Sequence, residues 1–202
     1  MYLSQLSLRP ASRQVLRDMA SPYELHRTLM RAFPDSDAGG PGRVLFRIEP
    51  MRDGGDAEPP RVLVQSDVAP DWSRLPDGYA TVQGPKELAL ALSHGQRLRF
   101  RLRANPSLKR DGKRRGLTKE EDQRSWLDRK AAGCGFKPLA YTIVRVGRTI
   151  SRRGEHGVAT HLGADFEGVL QVTDAAKFSA AIRTGIGPAK GFGFGLLSVA
   201  KA

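Results

Sequence analysis

The sequence predicts an α+β protein of two successive domains, residues 1–90 and 91–202. The chain of 202 residues is long enough for two domains of about 100 residues each. Hydrophobic periodicity in the second half predicts the element order βαββαβ, and the first half reads as a shortened version of it. Because this order is typical of ferredoxin-like (RRM-like) folds, we expect two such domains in tandem, with a glycine-rich loop near the C-terminus.

The first half opens with a predicted strand and helix. Residues 1–8 alternate in hydrophobicity, which predicts the strand. Ser21 is suited to cap the helix, Pro22 to occupy its first turn, and Glu24 to complete a capping box. Pro34 ends the helix. Apolar residues at helical spacing predict its buried stripe: Leu25, Leu29, Ala32 and Phe33.

Three more strands are predicted in the first half, at residues 44–48, 61–65 and 79–83. Residues 85–95 then connect the two halves. The second half begins with residues 97–103, where four arginines alternate with three apolar residues and predict an amphipathic strand.

The middle of the second half is predicted to be basic and largely exposed. Residues 105–116 read as a basic loop that contains Lys109, Arg110 and Lys113. Thr118 and Glu121 predict a capping box for a helix that runs to about Ala132. The remaining predicted elements are a strand at 138–146, an exposed hairpin at 148–161 with Arg148, Arg152 and Arg153, a strand at 166–172, a helix from Thr173 or Asp174 to Arg183, and a last strand at 196–199.

The glycine-rich loop, residues 185–195, holds five glycines and Lys190. Successive amides of such a loop can surround an anion, which makes Gly187, Lys190 and Gly191 candidate phosphate contacts. A Walker loop is excluded because Ser or Thr does not follow Lys190, and a dinucleotide fingerprint because a helix precedes the loop. Residues 190–194 match the start of an RNP1 motif, but too little chain follows for its fold. A phosphate loop and a plain turn with two buried Phe both remain open.

Charge is distributed unevenly along the chain. Residues 1–95 carry a net charge of −1 and residues 96–202 a net charge of +13. This asymmetry predicts a polyanionic partner, with nucleic acid favoured over a membrane surface. A single cysteine, no signal peptide and no membrane-length apolar stretch lead us to expect a soluble cytoplasmic protein.

His26 is the candidate catalytic residue, with Tyr23 as its neighbour one helical turn earlier. Metal-ligand motifs and a nucleophilic triad are both poorly supported, so no metal or other cofactor is expected. RNA carries its own nucleophile, the 2′-hydroxyl, so an enzyme need only align it, move protons and neutralise charge. A lone helical histidine can equally be structural.

Several stretches spread along the chain form one pattern: SPYELHRTL at 21–29, VQSD at 64–67, PDW at 70–72, FRLRANP at 100–106, GIGPAK at 185–190 and FGFGLL at 192–197. Together they resemble the type I-E CRISPR repeat-processing endoribonuclease family, CasE. The resemblance spans the whole chain, and the motifs occur in the family's order.

The resemblance implies a metal-independent endoribonuclease of two ferredoxin-like domains. Such an enzyme cuts precursor CRISPR RNA at the base of each repeat stem-loop and stays with the product in the Cascade complex. Tyr23 and His26 match the family's catalytic pair, and Arg27 a backbone contact near the cut. Arg148, Arg152 and Arg153 fall where the family places a basic hairpin against the RNA stem. Gly191 stands where the family often has alanine.

Two other functions stay open at this point: a non-catalytic RNA-binding protein, and an interaction subunit whose basic half meets acidic proteins. The isolated protein is expected to be monomeric. Neither the repeat sequence that is read nor the surfaces that meet other Cascade subunits follow from the sequence.

Overall fold

Helices are interspersed among strands in an α+β fold, seen in a computed structural model that describes residues 1–35, 39–50, 58–152 and 157–202. The side chains of residues 145, 151, 152 and 159 lie outside this description. The chain divides into two compact units. The first unit contains Met1–Ala89, Ile150–Ala159 and Gly191–Gly193, and the second contains Leu90–Thr149, Thr160–Lys190 and Phe194–Ala202.

The first unit is built on a four-stranded sheet with the order β2-β3-β1-β4, in which each pair of neighbours is antiparallel. Its elements are β1 (Tyr2–Leu8), α1 (Arg13–Ala20), α2 (Pro22–Met30), β2 (Val44–Ile48), β3 (Arg61–Ser66) and β4 (Ala80–Glu87). A 3₁₀ turn, Trp72–Arg74, lies between β3 and β4.

The core of the first unit lies where α2 packs on the sheet. The four residues of the predicted stripe, Leu25, Leu29, Ala32 and Phe33, are all buried, although α2 ends at Met30 and the last two follow it. They pack with apolar residues of the strands: Leu6, Leu8, Phe46, Val62 and Val64. Because this face of α2 is buried, only its other sides can contact a ligand or solvent.

Helix α1 is an element that the sequence analysis did not predict. Ser12 caps it and accepts a hydrogen bond from the Val15 amide. Its apolar pattern is inverted at two positions, because Leu16 is 61% exposed whereas Asp18 is fully buried. The Asp18 carboxylate accepts hydrogen bonds from the Tyr79 hydroxyl at 2.8 Å and from the Gln14 amide at 3.1 Å.

The second unit is built on a four-stranded sheet with the order β10-β5-β9-β8 and a separate two-stranded hairpin. Its elements are β5 (Arg97–Ala104), β6 (Ser107–Arg110), β7 (Lys113–Gly116), α3 (Glu120–Gly133), β8 (Phe136–Arg152), β9 (Val158–Val172), α4 (Ala175–Thr184) and β10 (Leu197–Lys201), with the ends of β8 and β9 belonging to the first unit.

Two predictions in the second unit were wrong. The basic stretch 105–116 is not a loop but the β6–β7 hairpin, closed at Asp111 and Gly112, which both have positive φ values of 51° and 74°. Two successive positive φ values are typical of a type I′ turn. The predicted Thr118 capping box does not form, because Lys119 occupies the N-cap of α3.

Strands β8 and β9 extend well beyond their predicted ends. Arg148 lies on an arm of a hairpin as expected, because it is an exposed residue of β8, and β8 pairs in the sheet with the next strand along the chain, β9. β-Branched residues on the exposed face of β8, such as Val144, Val146 and Ile150, favour continued strand geometry without burial. In α4, Asp174 caps the helix as expected, accepting a hydrogen bond from the Lys177 amide. No helix within the described ranges is long and apolar enough to span a membrane.

Candidate active site

Helix α2 positions His26 at the border of the first unit's core. Leu25 and Leu29 point into the core, and a residue adjacent to Leu25 is turned by about 100° around the helix axis. His26 is therefore half-buried rather than fully covered. Pro22 begins the helix, although the Ser21 side chain makes no capping hydrogen bond.

The imidazole of His26 packs against two other parts of the first unit. Its ring stacks on that of Phe46, with the centroids 6.0 Å apart and the planes 13° from parallel. A Cβ atom on Gly191 would lie 3.7 Å from both Cδ2 and Nε2 of His26. The Nε2 edge of the ring therefore lies beside the backbone of the glycine-rich loop.

Burial lowers the pKa of His26 below its ordinary value of 6.5. The Nδ1 atom is buried and has no hydrogen-bond partner among the described residues. Desolvation disfavours the imidazolium form. The neutral ring, which can accept a proton, is thus the favoured form near neutral pH.

Tyr23 and Arg27 lie on the same helix as His26. Tyr23 is half-buried and precedes His26 by three residues, so the two share one side of α2. Arg27 is exposed and forms an ion pair with Glu24, with Nη1 3.2 Å from the carboxylate. Such an exposed pair contributes only about 0–1 kcal/mol, so an incoming phosphate can compete for Arg27.

The glycine-rich loop is closed at its base by backbone hydrogen bonds of the second unit. The Ile186 amide donates to the Gly195 carbonyl at 2.8 Å, and the Gly195 amide donates to the Arg103 carbonyl at 2.7 Å. Gly187 has a φ of 84°, and a Cβ there would lie 2.9 Å from the Trp126 ring. Gly187 therefore meets the structural demands of a tight turn against Trp126.

Lys190 and Phe192 bound a short 3₁₀ turn within the same loop. Both are half-buried, whereas Phe194 is fully buried beneath the Arg103 guanidinium, 5.5 Å from its ring centroid. Only one of the two phenylalanines thus matches the expectation of a turn held by buried rings. Gly191 is the loop glycine that the structure brings to His26.

The predicted basic contacts that the structure describes lie on separate elements, and all of them except the half-buried Lys190 are exposed. Lys109, Arg110 and Lys113 lie on the β6–β7 hairpin. Arg148 lies on β8, while the side chain of Arg152 and the whole of Arg153 lie outside the described residues.

Part of the arginine row on β5 is neutralised within the second unit. Arg101 pairs with Glu167 at 2.7 Å, and Arg103 pairs with Asp165 at 3.1 Å. Arg97 and Arg99 are exposed at the other end of the row. Within the described residues, no three His, Cys, Asp or Glu side chains are grouped so that they could hold a metal ion.

Phe46 and Gly193 are neighbours of the candidate site that no sequence pattern indicated. Phe46 has the appearance of an ordinary core residue in a strand, and only the fold shows that its ring meets His26. Gly193 has a φ of 82°, and a Cβ there would lie 3.1 Å from the Phe46 ring. The dense glycine spacing indicated a tightly packed loop, but the sequence did not show which residues it packs against.

The family described as CRISPR associated protein matches residues 1–201 of this chain. The CRISPR-associated endoribonuclease Cse3 of Thermus thermophilus is 43% identical over 99% of this chain and 100% of its own length. The CRISPR system Cascade subunit CasE of Escherichia coli K12 is 34% identical over 99% of each chain.

A solved structure of the CRISPR endoribonuclease Cse3 bound to 19-nucleotide RNA has a TM-score of 0.91 to this chain. The two are 43% identical, and the match covers 99% of this chain and 100% of that one. Sequence and fold therefore agree over the full length of the chain. The chain belongs to the type I-E CRISPR-associated endoribonuclease family of Cse3 and CasE.

Proposed function

We propose that this protein is a metal-independent endoribonuclease that cuts precursor CRISPR RNA at the base of each repeat stem-loop. It retains the mature RNA within Cascade. The observation that carries the proposal is the half-buried His26, whose Nε2 edge lies beside Gly191 in a chain that is 43% identical to an endoribonuclease. A Cse3 bound to 19-nucleotide RNA and a CasE that is a Cascade subunit support the same substrate and assembly.

The fold proposed for this function is a tandem of ferredoxin-like domains, residues 1–90 and 91–202. Both sheets have the strand order that such domains have, with the first strand in the centre beside the third. The second unit has two helices in the βαββαβ positions, α3 and α4. In the first unit, the Trp72–Arg74 turn stands where the second helix belongs.

The cut proceeds by attack of the substrate's own 2′-hydroxyl on the adjacent phosphorus. The 2′ oxygen forms a bond to phosphorus as the bond to the 5′ oxygen breaks. The products are a 2′,3′-cyclic phosphate, which can open to a 3′-phosphate, and a 5′-hydroxyl. The nucleophile's proton is lost and the 5′ oxygen gains one, so a proton acceptor and a proton donor suffice.

His26 is suited to this proton transfer. Because burial lowers its pKa, the ring is neutral near pH 7 and can accept the 2′-hydroxyl proton. A positioned general base contributes about 10²–10⁴-fold to such a rate. We assign a hydrogen bond with the substrate to the Tyr23 hydroxyl, since Tyr23 shares one side of α2 with His26, and a contact with a phosphate near the cut to Arg27.

RNA binding is assigned to basic side chains and to the glycine-rich loop. An A-form stem is recognised largely by shape and by phosphate contacts, for which cationic side chains are suited. The proposed contacts are Arg27, Lys109, Arg110, Lys113, Arg148, Arg152, Arg153, Lys190, Gly187 and Gly191. The excess charge of the second half, +13, provides the electrostatic attraction.

The test is to incubate the purified protein in EDTA with a repeat-hairpin RNA. Cutting in chelator, blocked by one 2′-deoxy nucleotide at the cut site, supports the proposal. His26→Ala should abolish cutting and retain binding, while the exposed His94→Ala serves as the matched control and should cut normally. Unchanged cutting by His26→Ala overturns the role of His26. Tyr23→Phe should cost less than His26→Ala, and an unchanged rate removes Tyr23 from the site.

The alternative, a non-catalytic protein that binds structured RNA, makes a different prediction in the same assay. It requires tight binding with no cut product at any pH or time. No RNA affinity at all would instead favour an interaction subunit that meets acidic proteins.

A further inference from the structure

Phe46 is a fully buried residue of β2 whose ring touches the candidate catalytic histidine. The stacked geometry, 6.0 Å between centroids and 13° between planes, sets the imidazole nearly parallel to the aromatic ring, with the two rings offset. Phe46 also belongs to the core cluster of the first unit, together with Leu25 and Leu29 of α2. Its ring therefore connects the core to His26.

The position of the Phe46 ring is itself constrained by the glycine-rich loop. A Cβ on Gly193 would lie 3.1 Å from Cε2 and 3.5 Å from Cζ of Phe46. Gly193 also has a φ of 82°, a conformation that residues with a side chain rarely adopt. The loop backbone thus lies against the Phe46 ring at Gly193 and beside the His26 ring at Gly191.

We infer that Phe46 is a positioning residue for His26: it fixes the orientation of the imidazole and shields part of it from water. This inference rests on the proposed function for its effect on the rate. A flat ring restricts rotation of the stacked imidazole more than an aliphatic side chain does. Orientation matters because a misplacement of about 1 Å at a reacting group can cost about 10²-fold in rate.

Few titratable or charged groups among the described neighbours of His26 could shift its pKa. On α2, the titratable or charged neighbours are Tyr23, Glu24 and Arg27, of which the last two pair with each other. On β2, Arg47 follows Phe46 and pairs with Glu49 at 2.7 Å. The segment Gly191–Gly193 carries no titratable side chain. Desolvation is the cause of the lowered His26 pKa, and Phe46 supplies part of that desolvation.

The experiment compares Phe46→Leu and Phe46→Met with a matched control, Phe33→Leu. Both Phe46 variants remove the flat ring, and Met keeps more of the volume should Leu impair folding. Phe33 is equally buried in the same core and packs edge-on against Trp72. Two readouts are measured for each folded protein: the His26 pKa by NMR titration of the imidazole, and kcat and KM for hairpin RNA across pH.

In the Phe46 variants we expect the His26 pKa to rise toward 6.5 and the acid limb of the rate profile to move with it. At the plateau, kcat should fall about 10–100-fold while KM stays within about twofold. The control should change neither quantity. An unchanged or lower His26 pKa in both variants, or an equal shift in Phe33→Leu, overturns the inference. The NMR titration needs no RNA, so it decides the role of Phe46 even if the protein proves unable to cut.

Discussion

Two glycines of the same loop should respond in opposite ways to alanine. Gly191 has no positive φ, and a Cβ there meets only the edge of His26 at 3.7 Å, an ordinary contact distance. Gly193 has a φ of 82°, and a Cβ there would crowd Phe46 at 3.1 Å. Gly191→Ala and Gly193→Ala therefore form a matched pair, identical in chemistry and two residues apart.

The expected difference can be worked out from these contacts. Either alanine reduces the freedom of the unfolded chain and adds about 0.4–1 kcal/mol where the native conformation permits it. This gain is common to both variants and cancels in their difference. A left-handed conformation costs a residue with a side chain about 1–2 kcal/mol, and displacing a packed ring adds about 1–3 kcal/mol. Gly193→Ala should thus be about 2–5 kcal/mol less stable than Gly191→Ala.

Urea unfolding followed by tryptophan fluorescence measures this difference. The chain has two tryptophans, Trp72 in the first unit and Trp126 in the second. In a Trp126→Phe background the signal reports on Trp72, in the unit that holds the two glycines. Equal unfolding free energies for the two alanine variants, or a more stable Gly193→Ala, would refute this account of the loop.

Three further predictions follow from buried or exposed charges. The pKa of His26 is lower in the folded state than in the unfolded chain, so the unfolded chain takes up the proton first as pH falls. The free energy of unfolding should therefore fall as pH is lowered from 7 through about 6.5 to the lowered pKa. In His26→Gln this fall should be smaller, as measured by urea midpoints across pH. Asp18→Asn should cost about 2–4 kcal/mol in unfolding free energy because the buried carboxylate is replaced and its hydrogen bonds are weakened, whereas the exposed Asp77→Asn should cost little. Lys109, Arg110 and Lys113 of the β6–β7 hairpin can be replaced by Gln. The slope of log K against log salt for RNA binding should then fall in magnitude by about 0.7–0.9 for each phosphate that is no longer neutralised. An unchanged slope would remove these residues from the interface.

Local sequence patterns correctly predicted the strands and helices in which the apolar residues are the buried ones. β2 was placed at its observed bounds, and the apolar spacing of α2 identified its buried side correctly. The pattern did not reveal α1, because there a charged residue, Asp18, is buried along with Val15, and an apolar residue, Leu16, is exposed. Asp18 accepts a hydrogen bond from Tyr79, which is distant in sequence, and a local pattern cannot reveal such a contact.

The β6–β7 hairpin shows a different failure. Its Asp111-Gly112 pair was a visible turn signal, but the flanking residues are charged and both strands lie largely exposed. Hydrophobic alternation, the usual mark of a strand, was therefore absent. At the candidate site, the residue types of α2 and the family resemblance predicted roles for His26, Tyr23 and Arg27, which stay predictions. The contact between His26 and Phe46 could be seen only once the strand was placed in three dimensions.

The first unit draws on three separate stretches of chain, and the shortest of them is Gly191–Gly193. A fragment that ends near residue 90 would retain the imidazole of His26 and lack the peptide beside its Nε2 edge. Any attempt to dissect the protein, or to exchange its halves with those of a relative, separates these two parts. The tripeptide must then come from the same source as the N-terminal portion, or be restored by grafting.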